Sequence, residues 1–212
     1  MRDNKTEKII LQAAEEEFLL KGFAGARTTE IAQKAGVNHA MLHYYFNTKE
    51  QLFEQVMTEK VALFRDSVTS VFEQSDLPVL QQIKEAMSRH FDFVRQNPLL
   101  PRFIINEISV RPEYIESIKS KLLPIAGNAF RKLQHSLDEA SARGEICQID
   151  ARTLMLDIVS LNLFVFIAHP IISQMQPVLG DLNAFYEARK QENIHVITKR
   201  LKNDIPCNEQ YY

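Results

Sequence analysis

An all-α fold is predicted by three features of this 212-residue sequence. Apolar residues recur at i, i+3 and i+4 in one segment after another. No segment alternates polar and apolar residues as a half-buried strand would, and capping residues and glycines bracket the periodic runs. About nine helices are expected: three near the N-terminus in a helix-turn-helix arrangement, then a larger helical bundle.

The first helix carries Ile10, Ala13, Ala14 and Phe18 on one stripe, and Gly22 stands where a helix C-terminus favours a left-handed residue. Thr28 is placed to cap a second helix with Ile31, Ala32 and Ala35, which ends at Gly36. Asn38 then caps a short third helix holding Met41, Leu42 and Tyr45. Two short helices joined by a glycine turn outline a helix-turn-helix. Thr48 and Gln51 form a capping box for a long helix reaching Phe72, which at about 1.5 Å per residue spans roughly 37 Å. Further helices are expected near residues 77–96, 99–110 and 112–143, with Pro124 kinking or dividing the last of these. Gly144 ends it. Asp150 caps a very apolar helix to Ala168, Pro170 ends or bends that helix, and Asp181 caps a final amphipathic helix to about Lys202. Three regions follow: a helix-turn-helix domain over 1–47, a helical domain over 48–206 and a frayed tail over 207–212.

Composition narrows the classes. An apolar content of 45% supports a sizeable core, and the two cysteines, Cys147 and Cys207, have no zinc or disulfide-framework spacing. The first eight residues are polar, and the most apolar run, 161–172, is too short for a membrane span. A cytoplasmic protein without membrane attachment is expected. The net charge of −2 excludes bulk basicity, so any nucleic-acid contact must come from a local patch. Through Phe64 there are eight Lys or Arg against nine Asp or Glu, so the Glu15–Glu17 run must be directed away from a duplex. No nucleophile-elbow, Walker, dinucleotide-binding or zinc-protease motif occurs, and no enzyme activity, cofactor or metal is expected. His39 and His43 have the i, i+4 spacing of metal ligands, but no third ligand accompanies them.

The stretches "ILQAAEEEFLLKGF", "TTEIAQKAGV" and "YYFNTKEQLF" resemble the tetracycline-repressor (TetR) family of bacterial transcription regulators. Ala13, Phe18, Gly22, Phe23, Thr28, Ile31, Ala32, Ala35, Gly36, Val37, Leu42, Tyr45, Phe46, Lys49 and Leu52 stand in the family's places. The likeness covers about the first quarter of the chain; the remainder matches only in helix number and lengths. It implies an all-α homodimer whose N-terminal helices bind double-stranded operator DNA and whose C-terminal bundle binds an effector and the partner subunit. A ligand-responsive repressor of a palindromic operator is therefore expected. The alternative is a helical adaptor of the same fold without DNA contacts.

The residues themselves fit that picture. Val37, Leu42 and Phe46 hold the third helix down, leaving His39, Ala40, His43 and Tyr44 outward, as a major-groove helix requires. The DNA-binding set is Thr28, Thr29, Asn38, His39, Ala40, Met41, His43, Tyr44, Tyr45 and Lys49. Tyr45 is also compatible with core packing, and Lys49 with a plain surface charge. Asn38, Ala40, Met41 and His43 depart from the family's usual serine, small residue, small hydroxyl and tyrosine. His43 replaces a tyrosine that touches phosphate in relatives, so that contact is kept by imidazole, passed to Tyr44, or lost.

In the C-terminal part, the 150–168 helix is apolar nearly all round and needs cover on every side, which a second subunit would supply together with Leu182, Phe185, Tyr186, Val196, Ile197 and Leu201. Phe91, Phe103, Phe130 and Phe166, with His90, Asn106, Asn162 and His169 as sparse polar groups, are the candidates for a small, mostly hydrophobic effector.

Overall fold

The computed structural model describes residues 3–74, 77–110 and 113–202, and every regular element among them is a helix. In chain order they are α1 (Asn4–Gly25), α2 (Thr28–Lys34), α3 (His39–Tyr45), α4 (Lys49–Gln74), α5 (Val79–Gln96), α6 (Leu100–Val110), α7 (Glu113–Ala142), α8 (Ala151–Ile167), α9 (His169–Gln174), α10 (Gln176–Leu179) and α11 (Leu182–Leu201). Eleven helices among the described residues replace the nine expected. The two additional ones follow α8, each with a proline in its first two positions, where a missing N–H costs nothing. Pro170 thus ends one helix by starting another. α7 runs as one helix through position 124, so the proline expected to kink or divide it does not divide it. The tail expected over 207–212 lies outside the described residues.

The chain divides into two units, one of Met1–Leu63 with Arg102–Lys121, the other of Phe64–Pro101 with Leu122–Tyr212. The N-terminal unit therefore takes in the first part of α4, most of α6 and the start of α7 as well as α1, α2 and α3.

In the N-terminal unit, Asp3 caps α1 by accepting from Lys5 N at 3.1 Å. Ile10, Ala13, Ala14 and Phe18 are buried along one stripe, as their spacing predicts. Gly22 (φ 67, ψ 174) interrupts α1 rather than ending it, and one further turn follows to Gly25. Phe53 stands edge-on to both Phe18 and Phe23, with ring centroids 5.1 and 5.0 Å away, and Phe103 of α6 packs on Phe53 at 5.8 Å. Such contacts each contribute about 0.5–1.5 kcal/mol beyond the area they bury.

In the C-terminal unit, α5, α7, α8 and α11 share a core built on Ile83, Met87, Leu137, Leu154, Ile158 and Ile197. Three polar side chains are buried inside it. Asn162 Nδ2 donates to Met87 O at 3.0 Å and to His90 Nδ1 at 3.1 Å, while Asn193 Nδ2 donates to Asn162 Oδ1 at 3.0 Å. These bonds tie α5, α8 and α11 together, and they place the His90 proton on Nε2. Burial holds the His90 pKa down at about 4, so the ring is neutral near pH 7. Asp150 and Asp181 cap α8 and α11 through Arg152 N (2.8 Å) and Ala184 N (2.7 Å).

Candidate nucleic-acid interface

α2 and α3 are joined by a turn that only a residue free to take positive φ makes cheaply, and Gly36 (φ 67) fills that place. Asn38 Oδ1 then accepts from Met41 N at 2.7 Å, starting α3 as a side-chain cap. Leu42 is fully buried and Phe46 nearly so, which anchors α3 against the rest of the unit. His39, Ala40, Met41, His43 and Tyr44 are all exposed on the other side. Tyr44 is 59% exposed, whereas Tyr45 is half-buried and its hydroxyl accepts from Asp3 N at 3.0 Å.

Thr28 does not cap α2. The cap is Arg27, whose backbone is extended (φ −120, ψ 130), so Thr28 is the first residue inside the helix and its hydroxyl is released from capping. That hydroxyl lies 3.0 Å from His39 Nε2 and links the start of α2 to the start of α3. Thr29, next along, is exposed. His43 Nδ1 lies 3.1 Å from Asn47 O, and the His39 and His43 rings meet edge to face with centroids 4.5 Å apart. Lys49 opens α4, with its ammonium 4.5 Å above the Phe23 ring. Periodicity gave no sign of Arg27, an exposed cation beside Thr28 and Thr29; its only local signal is that it precedes the two threonines.

Of the acidic run on α1, Glu15 and Glu17 are engaged by lysines of the same unit, whereas Glu16 is exposed. Glu17 is fully buried, with Lys21 Nζ at 2.6 Å from Oε1 and Lys34 Nζ at 2.7 Å from Oε2, while Glu15 pairs with Lys60 at 2.5 Å. Burial alone would raise the Glu17 pKa, but the hydrogen bonds from Lys21 and Lys34 more than offset it and hold the group at about 2. Lys21 also pairs with Glu30. No acidic residue occurs between Glu30 and Glu50, so α3 and both its flanking turns are free of carboxylates. Residues 31–49 thus bring no carboxylate of their own to this face, which suits a phosphate backbone and base edges, and Asp3 meets the face at the Tyr45 hydroxyl.

The effector candidates are distributed over both units. Phe91 packs on Phe166 (5.1 Å), Phe166 stacks on Tyr186 (5.2 Å), and His169 Nδ1 lies 2.6 Å from the Tyr186 hydroxyl. His90 and Asn162 are hydrogen-bonded to each other, and Phe130 packs on the other core cluster of that unit. Phe103 and Asn106 belong to the N-terminal unit, Asn106 being exposed. An open groove of about 480 Å³ on α5 and α11, lined in part by Lys84, Glu192, Ile194 and His195, includes none of them. Among the described residues no group of three His, Cys, Asp or Glu side chains is placed to hold a metal ion, and no helix is long and apolar enough to cross a membrane.

Residues 10–56 match the family model described as bacterial regulatory proteins, tetR family. The Bacillus subtilis (strain 168) protein YttP is 25% identical over 176 residues, 81% of this chain and 84% of that one. The HTH-type transcriptional repressor NicS of Pseudomonas putida is 26% identical over 66% of each chain. The HTH-type transcriptional regulator RutR of Escherichia coli (strain K12) is 32% identical, with the match spanning 48% of this chain and about half (47%) of RutR. Among solved structures, SCO4942 from Streptomyces coelicolor superposes with a TM-score of 0.69 at 19% identity, covering 92% of this chain and 98% of that one. HlyIIR, a hemolysin II transcriptional regulator, gives 0.63 at 24% identity, covering 94% and 98%. These two likenesses establish the fold over nearly the whole chain.

Proposed function

The chain belongs to the tetR family of bacterial regulatory proteins, and from that premise we propose that it is a ligand-responsive repressor that binds a palindromic operator as a homodimer. One observation carries the DNA-binding part: α3 buries Leu42 while exposing His39, Ala40, Met41, His43 and Tyr44, in a stretch of chain (31–49) that contains no acidic residue. Met41 and His39 read base edges, Lys49, Arg27 and Thr29 hold phosphates, and Thr28 orients His39.

One α3 reads too few base pairs for selectivity, and two copies related by a two-fold axis read a palindrome with half-sites about 34–36 Å apart. The support for a dimer is on α8. Its inner face is buried, yet Leu156 (67% exposed) and Phe164 (69%) stand on the outer face. A helix apolar on both faces in a water-soluble chain calls for a covering surface, and a second α8 with its α11 supplies one by symmetry.

The effector is a small, mostly apolar molecule bound in the C-terminal unit near Phe91, Phe166 and His169. α4, α6 and α7 each run from one unit into the other along the chain and are the covalent routes by which binding is felt at α3. Reciprocity follows: operator DNA weakens effector affinity by the factor by which effector weakens operator affinity.

The test is selection of duplexes from a randomised pool, followed by footprinting and titration at several salt concentrations. A symmetric footprint with steep salt dependence is expected. If selection enriches no sequence, the DNA-binding reading is wrong and the adaptor alternative takes its place.

A further inference from the structure

We propose that His43 determines sequence specificity by acting as a hydrogen-bond acceptor in the major groove, reading the amino group of an adenine or a cytosine. The inference rests on the reading of α3 as the groove helix and goes further by naming what one of its side chains recognises.

The argument starts from Asn47. Its backbone carbonyl has no hydrogen to give, so at 3.1 Å from His43 Nδ1 the ring must be the donor. A neutral imidazole has one N–H, and with that hydrogen on Nδ1 the remaining lone pair is on Nε2. The ring is fixed from its other side as well, because His39 packs against it edge to face at 4.5 Å and is itself held by Thr28 at 3.0 Å. His43 is exposed, so its Nε2 is available to a ligand laid on α3.

The choice of ligand follows from what the groove displays. Guanine offers the acceptors N7 and O6 there, and thymine offers O4 and a methyl group; only adenine N6 and cytosine N4 present donors. A lone pair at Nε2 is satisfied by the second set and repelled by the first. Phosphate oxygens are acceptors too, so the same tautomer does not serve as a phosphate ligand. Where a tyrosine hydroxyl could donate to a phosphate, the imidazole pinned by Asn47 has its donor turned inward.

The experiment uses the full-length protein and the duplex obtained by selection. Each adenine is replaced in turn by 2-aminopurine, which moves the amino group to the minor groove, and each cytosine by 2-pyrimidinone, which lacks it. Binding of these duplexes is compared for the wild type, His43→Asn and His43→Gln. Asparagine keeps a donor near the Nδ1 position and has nothing at Nε2, whereas the glutamine amide reaches the Nε2 position. At one base pair per half-site the analogue should cost the wild type roughly fivefold in affinity, as loss of one hydrogen bond does. It should cost H43N nothing further and H43Q an intermediate amount. Unchanged circular dichroism for both variants is expected of an exposed site.

Equal analogue penalties for the wild type and H43N at every position would overturn the inference. So would an H43N defect that is the same on random and selected duplexes and comes with a flatter salt dependence, since that is the behaviour of a phosphate donor. Both results leave the operator-binding reading intact. Failure of the selection to enrich any sequence would instead remove that reading, and this inference with it.

Discussion

Replacing Gly22 by alanine should destabilise the N-terminal unit far more than a surface glycine change normally does. Two costs combine at this position. With φ 67 and ψ 174, Gly22 occupies a backbone region that is essentially restricted to glycine, and a Cβ there costs about 1–3 kcal/mol. That Cβ would also sit 2.8 Å from Glu107 Oε1, the atom that accepts the hydrogen bond from Phe23 N at 2.8 Å in a buried setting. Relieving the clash pulls the carboxylate off the amide, and loss of a hydrogen bond to a charged group costs about 1.5–3 kcal/mol. The sum is about 2.5–6 kcal/mol, and at about 2–4 °C per kcal/mol for a chain of this size the melting temperature should fall by roughly 5–24 °C. Urea titration of four proteins, the wild type, G22A, Glu107→Ala and the double variant, separates the two costs. E107A alone loses the hydrogen bond, and G22A loses it as well as straining the backbone. The double variant should therefore be within about 1 kcal/mol of G22A and well short of the sum of the single effects. A G22A protein that melts with the wild type, or strictly additive effects, would refute this account of the α1–α6 contact.

The other predictions concern the interface, the dimer and acid stability. Lys49→Ala should weaken all duplexes alike and reduce the slope of log affinity against log salt by about 2 per dimer, one phosphate being lost in each half; Arg27→Ala should do the same, and either change altering base preference would count against the assigned role. Leu156→Asp with Phe164→Asp should turn the proposed dimer into a folded monomer, raising its dissociation constant roughly 100-fold or more, as light scattering reads directly. Below pH 6.5 the buried His90 should make the fold progressively less stable: its native pKa is depressed to about 4, so protons bind the unfolded chain first, and stability falls by about 1.4 kcal/mol per pH unit between those values. Glu17, held at about 2, gives stability that is complete above its unfolded pKa of 4.5 and lost as pH falls from there toward 2, so Glu17→Gln should flatten the acid limb of stability below pH 4.5 and leave the His90 limb in place.

Local signals in the sequence were enough for nine of the eleven described helices and for the face of α3, but not for the short α9 and α10. Asn38, Asp150 and Asp181 cap helices because a short polar side chain ahead of an apolar-periodic run has few other uses, and Leu42 and Phe46 are buried where their spacing puts them. Thr28 shows where such signals stop. Whether a threonine is a cap or a first helical residue depends on the backbone of its neighbour, and Arg27 is the extended one. The Phe23–Glu107 bond joins residues 84 apart in sequence, and no periodicity records which of many acids meets a given amide. The effector candidates scattered for a related reason. A helical stripe tells which side of α6 is apolar but not which unit it faces, and Phe103 packs on Phe53 in the N-terminal unit while Phe91 and Phe166 meet in the other.

Charge shows how pairing, rather than a count, sets the character of a surface. The first 64 residues hold more acids than bases, which by count argues against binding a polyanion. Yet Glu15 and Glu17 are engaged by Lys60, Lys21 and Lys34, and Glu30 by Lys21, so these acids and bases offset one another within the fold. Between Glu30 and Glu50 the chain has histidines, tyrosines, amides and Lys34 and Lys49, with no carboxylate to repel phosphate. The buried Glu17 also serves the geometry of the interface. By holding Lys21 from its own helix and Lys34 from the end of α2, it fixes α2 against α1, and α2 carries the turn from which α3 is presented. A neutral glutamine at position 17 would keep the shape and lose the ionic grip, freeing the Lys34 charge at the surface while Lys21 keeps its pair with Glu30. Non-specific DNA affinity should then rise while discrimination between selected and random duplexes falls. A parallel loss of both affinities in E17Q would show instead that the cluster acts only through stability.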